Sequence, residues 1–235
     1  MTKVTSNLSS FIVPIAIIGE ESADNEALRS LLGGREYIVV GNQILFKQED
    51  QYYLTVIDSS SDYTAHDYQK LPLNAPYQLI NGKLEFMPSP YDEHQNVLSN
   101  LHGLVFIFLK KHKIGKVRFA PLDVHFDSKN IYQPDLLFIS NERKEIIKKF
   151  IHGAPDLIVE ILSSNKKHDL GKKKEVYGKN NVLEYWAIDY EKRTLDVYLN
   201  EEKVLVFECT FHEEDEVQSK VMSGFSFVVG ELFEE

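Results

Sequence analysis

With 235 residues, 43% of them apolar and 26% charged, the chain suffices for one large domain, or one domain with an extension, around a buried core. Its single cysteine, Cys209, excludes an intrachain disulfide and agrees with a reducing, cytoplasmic setting. No apolar run reaches the length of a membrane span, and the short stretch Phe11–Ile18, interrupted by Pro14, does not read as a signal peptide.

The net charge of −10 argues at first against a polyanionic partner. Its distribution argues the other way. Residues 1–70 carry 5 Lys+Arg against 10 Asp+Glu, residues 200–235 carry 2 against 10, and residues 71–199 carry 19 against 16. The acidity sits at the two ends, and the middle is net +3. A bound cation would offset part of the acidity that remains there.

Residues 1–60 read as a small β-rich extension. Tyr37–Val40, Gln43–Phe46 and Tyr52–Ile57 are short strand-like runs punctuated by Gly33, Gly34 and Gly41. The Gly33-Gly34 pair reads as a turn rather than a phosphate loop. Asp58-Ser59-Ser60-Ser61-Asp62 is a plausible linker.

A clearer pattern follows over residues 61–235. Tyr77–Ile80, Asn81-Gly82 and Lys83–Met87 predict a hairpin with a tight turn, ended by Pro88-Ser89-Pro90. The spacing of Val97, Leu98, Leu101, Leu104, Val105, Phe108 and Leu109 predicts a helix over Asp92–His112. Val117–Phe126 alternates as one strand. Asp135–Ile139 and Leu157–Leu162 are short apolar runs suited to a buried sheet, with a helix expected between them at Arg143–Phe150. A further helix is expected over Leu170–Gly178, then strands at Tyr185–Ile188, Leu195–Tyr198 and Val204–Phe211. The order implies an α/β domain, a mixed sheet flanked by helices.

Two carboxylates, Asp135 and Glu160, stand inside otherwise apolar strands. Desolvating a charge is costly, so a buried acid needs a partner. One such acid alone is more simply explained by an ion pair with Lys or Arg. Two acids in separate apolar strands, followed by basic residues, favour a shared cation. Hard cations such as Mg²⁺ take one or two protein carboxylates and complete their shell with water and phosphate oxygens. Without a metal, two close acids would repel each other, raising the pKa of one. The polar run Ser163–Asp169 leaves the Glu160 strand and enters Lys172-Lys173-Lys174. Three adjacent lysines cannot all face one way, and one of them is expected to face the site. Lys110, Lys111, Lys113, Lys116 and Arg118 form a second basic cluster suited to backbone phosphate. His94, near a helix start, reads either as a group supporting the site or as a capping or surface histidine. Asp123 reads as a strand residue that supports the site or is structural. Trp186, Tyr185 and Tyr177 read as core.

Several segments together resemble the Uma-two family of endonucleases in the PD-(D/E)XK, restriction-endonuclease-like superfamily. They are Tyr77–Gly82, Met87-Pro88-Ser89-Pro90, His94-Gln95, Pro121-Leu122-Asp123-Val124, Gln133-Pro134-Asp135-Leu136, Gly153–Ser163, Asp169–Lys173, Glu184–Asp189 and Ser223–Ser226. The resemblance implies a restriction-endonuclease-like core and magnesium-dependent hydrolysis of DNA phosphodiesters, with Mn²⁺ as an alternative metal. In that reading Asp135 is the acid of the PD element and Glu160 that of the (D/E)XK element, the two holding the metal. The usual lysine position is Leu162, and by spacing from Asp169 its role passes to Lys173, or to Lys172. The family commonly has Glu where this chain has Gln78, and an acid where it has Lys83. A homodimer is a candidate assembly. The rival readings are a non-catalytic binding module that keeps the fold, and a metal-dependent hydrolase of another phosphate substrate.

Overall fold

A computed structural model describes residues 37–40, 43–48, 51–54, 62–69, 77–87, 90–162 and 169–234. The apolar stretch Phe11–Ile18, the Gly33-Gly34 pair, most of the expected linker and the loop 163–168 lie outside the described residues. The chain divides into two compact units, Met1–Met87 and Pro88–Glu235.

In the first unit, β1 (Tyr37–Val40), β2 (Gln43–Gln48) and β3 (Gln51–Leu54) form an antiparallel sheet in that order. A single helical turn, α1 (Ala65–Tyr68), is capped by Thr64, whose backbone N–H and hydroxyl both donate to the Asp67 carboxylate. Strands β4 (Tyr77–Ile80) and β5 (Lys83–Phe86) pair as the expected hairpin. Asn81 and Gly82 both take positive φ (48° and 75°), the twist that a two-residue hairpin turn requires. Gln78 is buried in β4.

The second unit begins with α2 (Asp92–His112). Its first turn carries Asp92 and Glu93 and its last turn Lys110 and Lys111, each sign matching the helix dipole. It ends at Lys113 in the left-handed conformation, whose N–H donates to the Leu109 carbonyl. Val97, Leu98, Leu101, Val105 and Leu109 form its buried stripe. There follow β6 (Gly115–Phe119), β7 (Val124–Asp127), β8 (Asn130–Tyr132), β9 (Leu136–Ser140), β10 (Ile151–His152), β11 (Leu157–Ile161), the short helix α3 (Lys174–Lys179), β12 (Glu184–Asp189), β13 (Thr194–Glu201), β14 (Val204–Phe211), β15 (Glu216–Gln218) and β16 (Ser226–Val228). Six strands make the main sheet in the order β14-β13-β12-β11-β9-β6. It is mixed: β11 and β12 run parallel, and every other neighbouring pair is antiparallel.

Alternation divides the sheet's two faces. Leu136, Phe138, Leu157, Val159, Ile161, Trp186 and Ile188 join the buried stripe of α2 and the C-terminal Val217, Phe225, Phe227 and Leu232 in one core. Asn100 of α2 ties down the chain end by donating to the carbonyls of Leu232 and Glu234. The opposite face carries Ile158, Glu160 and Tyr185, and there Tyr177 of α3 lies against Tyr132, Tyr185 and Phe126.

Three elements differ from the sequence-based expectation. The strand expected at Val117–Phe126 is two strands, β6 and β7, because Pro121 lacks the N–H that the ladder needs. The helix expected at Arg143–Phe150 is a 3₁₀ segment, Asn141–Ile146, followed by β10. None of its residues is buried, so it has no apolar face to hold a longer helix in place. The helix expected at Leu170–Gly178 opens with a π-helical turn, Asp169–Lys173, before α3. Single π turns of this kind recur at functional sites.

Candidate active site

Strand register brings the two sequence-identified acids together. Asp135 lies at the bend just before β9, and Glu160 is the fourth residue of β11. The antiparallel pairing runs Leu157↔Phe138, Ile158↔Leu137, Val159↔Leu136. Carried on by one residue, it sets Asp135 opposite Glu160. Opposed residues in an antiparallel pair have Cα atoms about 4.5–5.5 Å apart and side chains on one face.

Asp135 is fixed from several sides. Its Oδ2 accepts from the Ile161 N–H at 2.7 Å and lies 3.2 Å from His94 Nε2, at the start of α2. Its carbonyl accepts from the Ala120 N–H at 3.0 Å, just beyond the end of β6. Both side-chain contacts fall on Oδ2. Among the described residues Oδ1 accepts no hydrogen bond, and the side chain is 17% exposed.

Glu160 is more deeply buried, at 3% exposure. Lys173 Nζ lies 2.8 Å from its Oε2, and the Tyr177 hydroxyl donates to Oε1 at 2.5 Å. Burial first, and then the neighbouring Glu160 carboxylate, push the Tyr177 phenol well above its ordinary pKa of 10. The phenol therefore keeps its proton and acts as donor. Lys173 and Tyr177 contact the Glu160 carboxylate, while His94 and the Ile161 N–H contact that of Asp135.

The π turn sorts the lysines. Lys173 is buried and reaches Glu160, whereas Lys172 is exposed. Lys174 places its ammonium 4.4 Å from the centre of the Tyr198 ring. The backbone of Asp169 opens the π turn. Asp123 precedes β7 instead of lying within a strand, and its Oδ1 accepts from Gln133 Nε2 at 2.7 Å, two residues before Asp135. Leu162 is buried at 3% exposure. Lys110, Lys111, Lys113, Lys116 and Arg118 are all exposed. Tyr177 is the contact that sequence reasoning missed. An apolar-looking helix position one turn after Lys173 reads as core, and it is core (0% exposed), but its hydroxyl serves Glu160.

Among the described residues no group of three or more His, Cys, Asp or Glu side chains is placed to hold a metal ion. The donors present nonetheless fit Mg²⁺, which needs only one or two carboxylates and keeps several waters. Asp135 Oδ1 accepts no hydrogen bond from any described residue, and Asp135 and Glu160 are the two carboxylates such an ion would take. Among the described residues no helix is long and apolar enough to cross a membrane.

The domain is α/β, a mixed sheet flanked by helices. Residues 65–230 match the Uma2 family model, described as "Putative restriction endonuclease", and the chain belongs to that family. The fold is similar to that in the crystal structure of a putative nuclease belonging to DUF820 from Anabaena variabilis ATCC 29413. The TM-score is 0.62 and the identity 22%, over 72% of this chain and 97% of that one. No curated protein matches the sequence at a comparable level.

Proposed function

We propose that the chain is a magnesium-dependent endonuclease acting on DNA, with residues 61–235 as its nuclease domain and residues 1–60 as an extension. The observation that carries this reading is the register of β9 and β11, which opposes Asp135 to Glu160 with Lys173 on Glu160. Asp135 and Glu160 would hold the cation. Mg²⁺, or Mn²⁺ in its place, would supply a Lewis acid for the scissile phosphate and lower the pKa of a bound water. His94 and the Ile161 N–H hold Asp135 in place, and Tyr177 does the same for Glu160. Lys173, held on Glu160, orients the attacking water or meets charge developing on the phosphate. The exposed lysines at the end of α2 and the basic residues of β6 track the phosphate backbone. A cytoplasmic location and homodimeric assembly belong to the same reading. Supercoiled plasmid incubated with Mn²⁺ tests it: wild type should nick or linearise the DNA and Asp135→Ala should not. Equal cleavage by both proteins would remove Asp135 from the site.

One observation favours a second reading, a non-catalytic module that keeps the fold. The oxygens of Glu160 already meet Lys173 and Tyr177, an arrangement that also suits a purely structural ion pair. Such a module would show no Mg²⁺-dependent rise in Tm and no cleavage.

A further inference from the structure

Within Pro88–Glu235, α2 and β6 share an exposed aromatic surface. Phe119 closes β6 and is 49% exposed, Phe106 on α2 is 44% exposed, and Ile107 beside it is 70% exposed. The half-buried ring of His102 lies between the two phenylalanines. Its centroid is 4.6 Å from that of Phe119 at 63°, and 5.6 Å from that of Phe106 at 32°. Lys110 places its ammonium 5.2 Å from the centre of the Phe106 ring. The residue after Phe119 is Ala120, whose N–H binds the Asp135 carbonyl, so the backbone of this step adjoins the strand end that bears Asp135, while the Phe119 ring, opposite Leu136 in register, lies on the α2 face of the sheet. Along α2, His102 is eight residues from His94, or roughly 12 Å at the helical rise.

Exposed rings of this size suit an occupant, and the surrounding charge says which kind. From His94 to Leu122 there is no Asp or Glu, yet the segment holds Lys110, Lys111, Lys113, Lys116 and Arg118, in a chain with 36 acidic residues. A second copy meeting this face symmetrically would bring the same cations against themselves. A nucleic acid brings phosphates for the cations and flat bases for the rings. In an intact duplex the base faces are already stacked on one another, so exposed rings gain little. An unpaired base offers a free face for stacking.

We infer that the His102–Phe106–Phe119 face takes an unpaired base, so that the preferred substrate of the neighbouring carboxylates is single-stranded or locally unpaired nucleic acid. This rests on the nuclease reading above and names its substrate class.

The test is equilibrium binding in EDTA, where no cleavage occurs, so a failure here is separate from a failure of metal-dependent cleavage by wild type. The probes are a fluorescein-labelled single strand, its blunt duplex, and the same strand with abasic residues. Wild type should bind the single strand more tightly than the duplex. Phe119→Ala should weaken binding of the intact strand by roughly 5- to 150-fold, the worth of one stacked base, and leave the abasic strand nearly unaffected. Phe119→Trp should restore binding. Lys110→Ala should weaken both strands and lower the salt dependence. Equal affinity of wild type for duplex and single strand would overturn the inference. So would a Phe119→Ala loss shared by the abasic strand. So too would a Phe119→Ala protein that binds DNA normally but changes from dimer to monomer by sedimentation, since the face would then join copies of the chain.

Discussion

Lys173 Nζ lies 2.8 Å from Glu160 Oε2, with the two side chains 8% and 4% exposed. This contact changes what removing the charge of Glu160 should do. For two uncompensated acids, Glu160→Gln would relieve repulsion and leave the metal-free fold as stable or more so. With Lys173 in place, the substitution removes the carboxylate that faces a buried ammonium. We expect Glu160→Gln to destabilise the metal-free protein by about 3–5 kcal/mol, the usual cost of breaking a buried pair from one side. Adding Lys173→Met to Glu160→Gln should recover a large part of that loss. Urea denaturation of the wild type, the single variants and the double variant checks this. Additive losses in the double variant would mean that the two groups are not coupled.

Metal should act through Asp135. Its Oδ1 accepts no hydrogen bond among the described residues, so Asp135→Asn keeps the shape and most contacts but halves the carboxylate charge available to a cation. Mg²⁺ at about 100 times its Kd should stabilise wild type by about 2.7 kcal/mol, seen as a rise in Tm. Asp135→Asn should lose that rise and its cleavage of plasmid DNA together. Retention of the Mg²⁺ effect with loss of cleavage would move the ion away from Asp135.

Tyr177→Phe removes one hydroxyl that donates to Glu160 and leaves the ring packed against Tyr132 and Tyr185. A hydrogen bond to a charged group contributes about 1.5–3 kcal/mol, so a stability loss of that size is expected. A group that only orients a metal ligand changes affinity for the ion more than it changes the chemistry, commonly by about 10–100-fold. The Mg²⁺ concentration for half-maximal cleavage should therefore rise, while the rate at saturating Mg²⁺ recovers. A merely structural tyrosine would not shift that concentration.

What was legible in the sequence divides along physical lines. Helix α2 announces itself through a long stripe from Val97 to Leu109, and the hairpin through Asn81-Gly82, because both signals are local. The two acids are legible because a charge inside an apolar run contradicts its surroundings. Their opposition is not legible, since it depends on a register between β9 and β11 that no local pattern fixes. The pairing of Glu160 with Lys173, and not with Lys172 or Lys174, is set by the π turn, whose extra width leaves no mark in a run of lysines; only the family resemblance, by spacing from Asp169, narrowed the choice to Lys173 or Lys172. Tyr177 escapes for a different reason. A tyrosine on a buried face satisfies the hydrophobic pattern completely, and nothing in that pattern says where its hydroxyl points.

His125 gives the pH dependence a specific source. It lies on β7 in register with His152 on β10, their rings stacked 4.8 Å apart, with Phe150 at 5.4 Å. Its Nε2 is buried and has no hydrogen-bond partner among the described residues. Burial lowers its pKa below the ordinary 6.5, and His152 pushes the same way, while Asp123 pushes against them. The unfolded chain takes up this proton near pH 6.5, but the folded chain only at lower pH. Between the two values the unfolded state holds more protons, so stability must fall as pH falls through that window. Above 6.5 both states are neutral at this site and it contributes no slope. His125→Phe keeps a ring against Phe150 and His152 and removes the titration. Urea midpoints taken from about pH 7.5 down to about pH 5 should decline less steeply for His125→Phe than for wild type, whatever the offset between them at neutral pH. Parallel declines in the two proteins would exclude His125 as the source of the acid sensitivity.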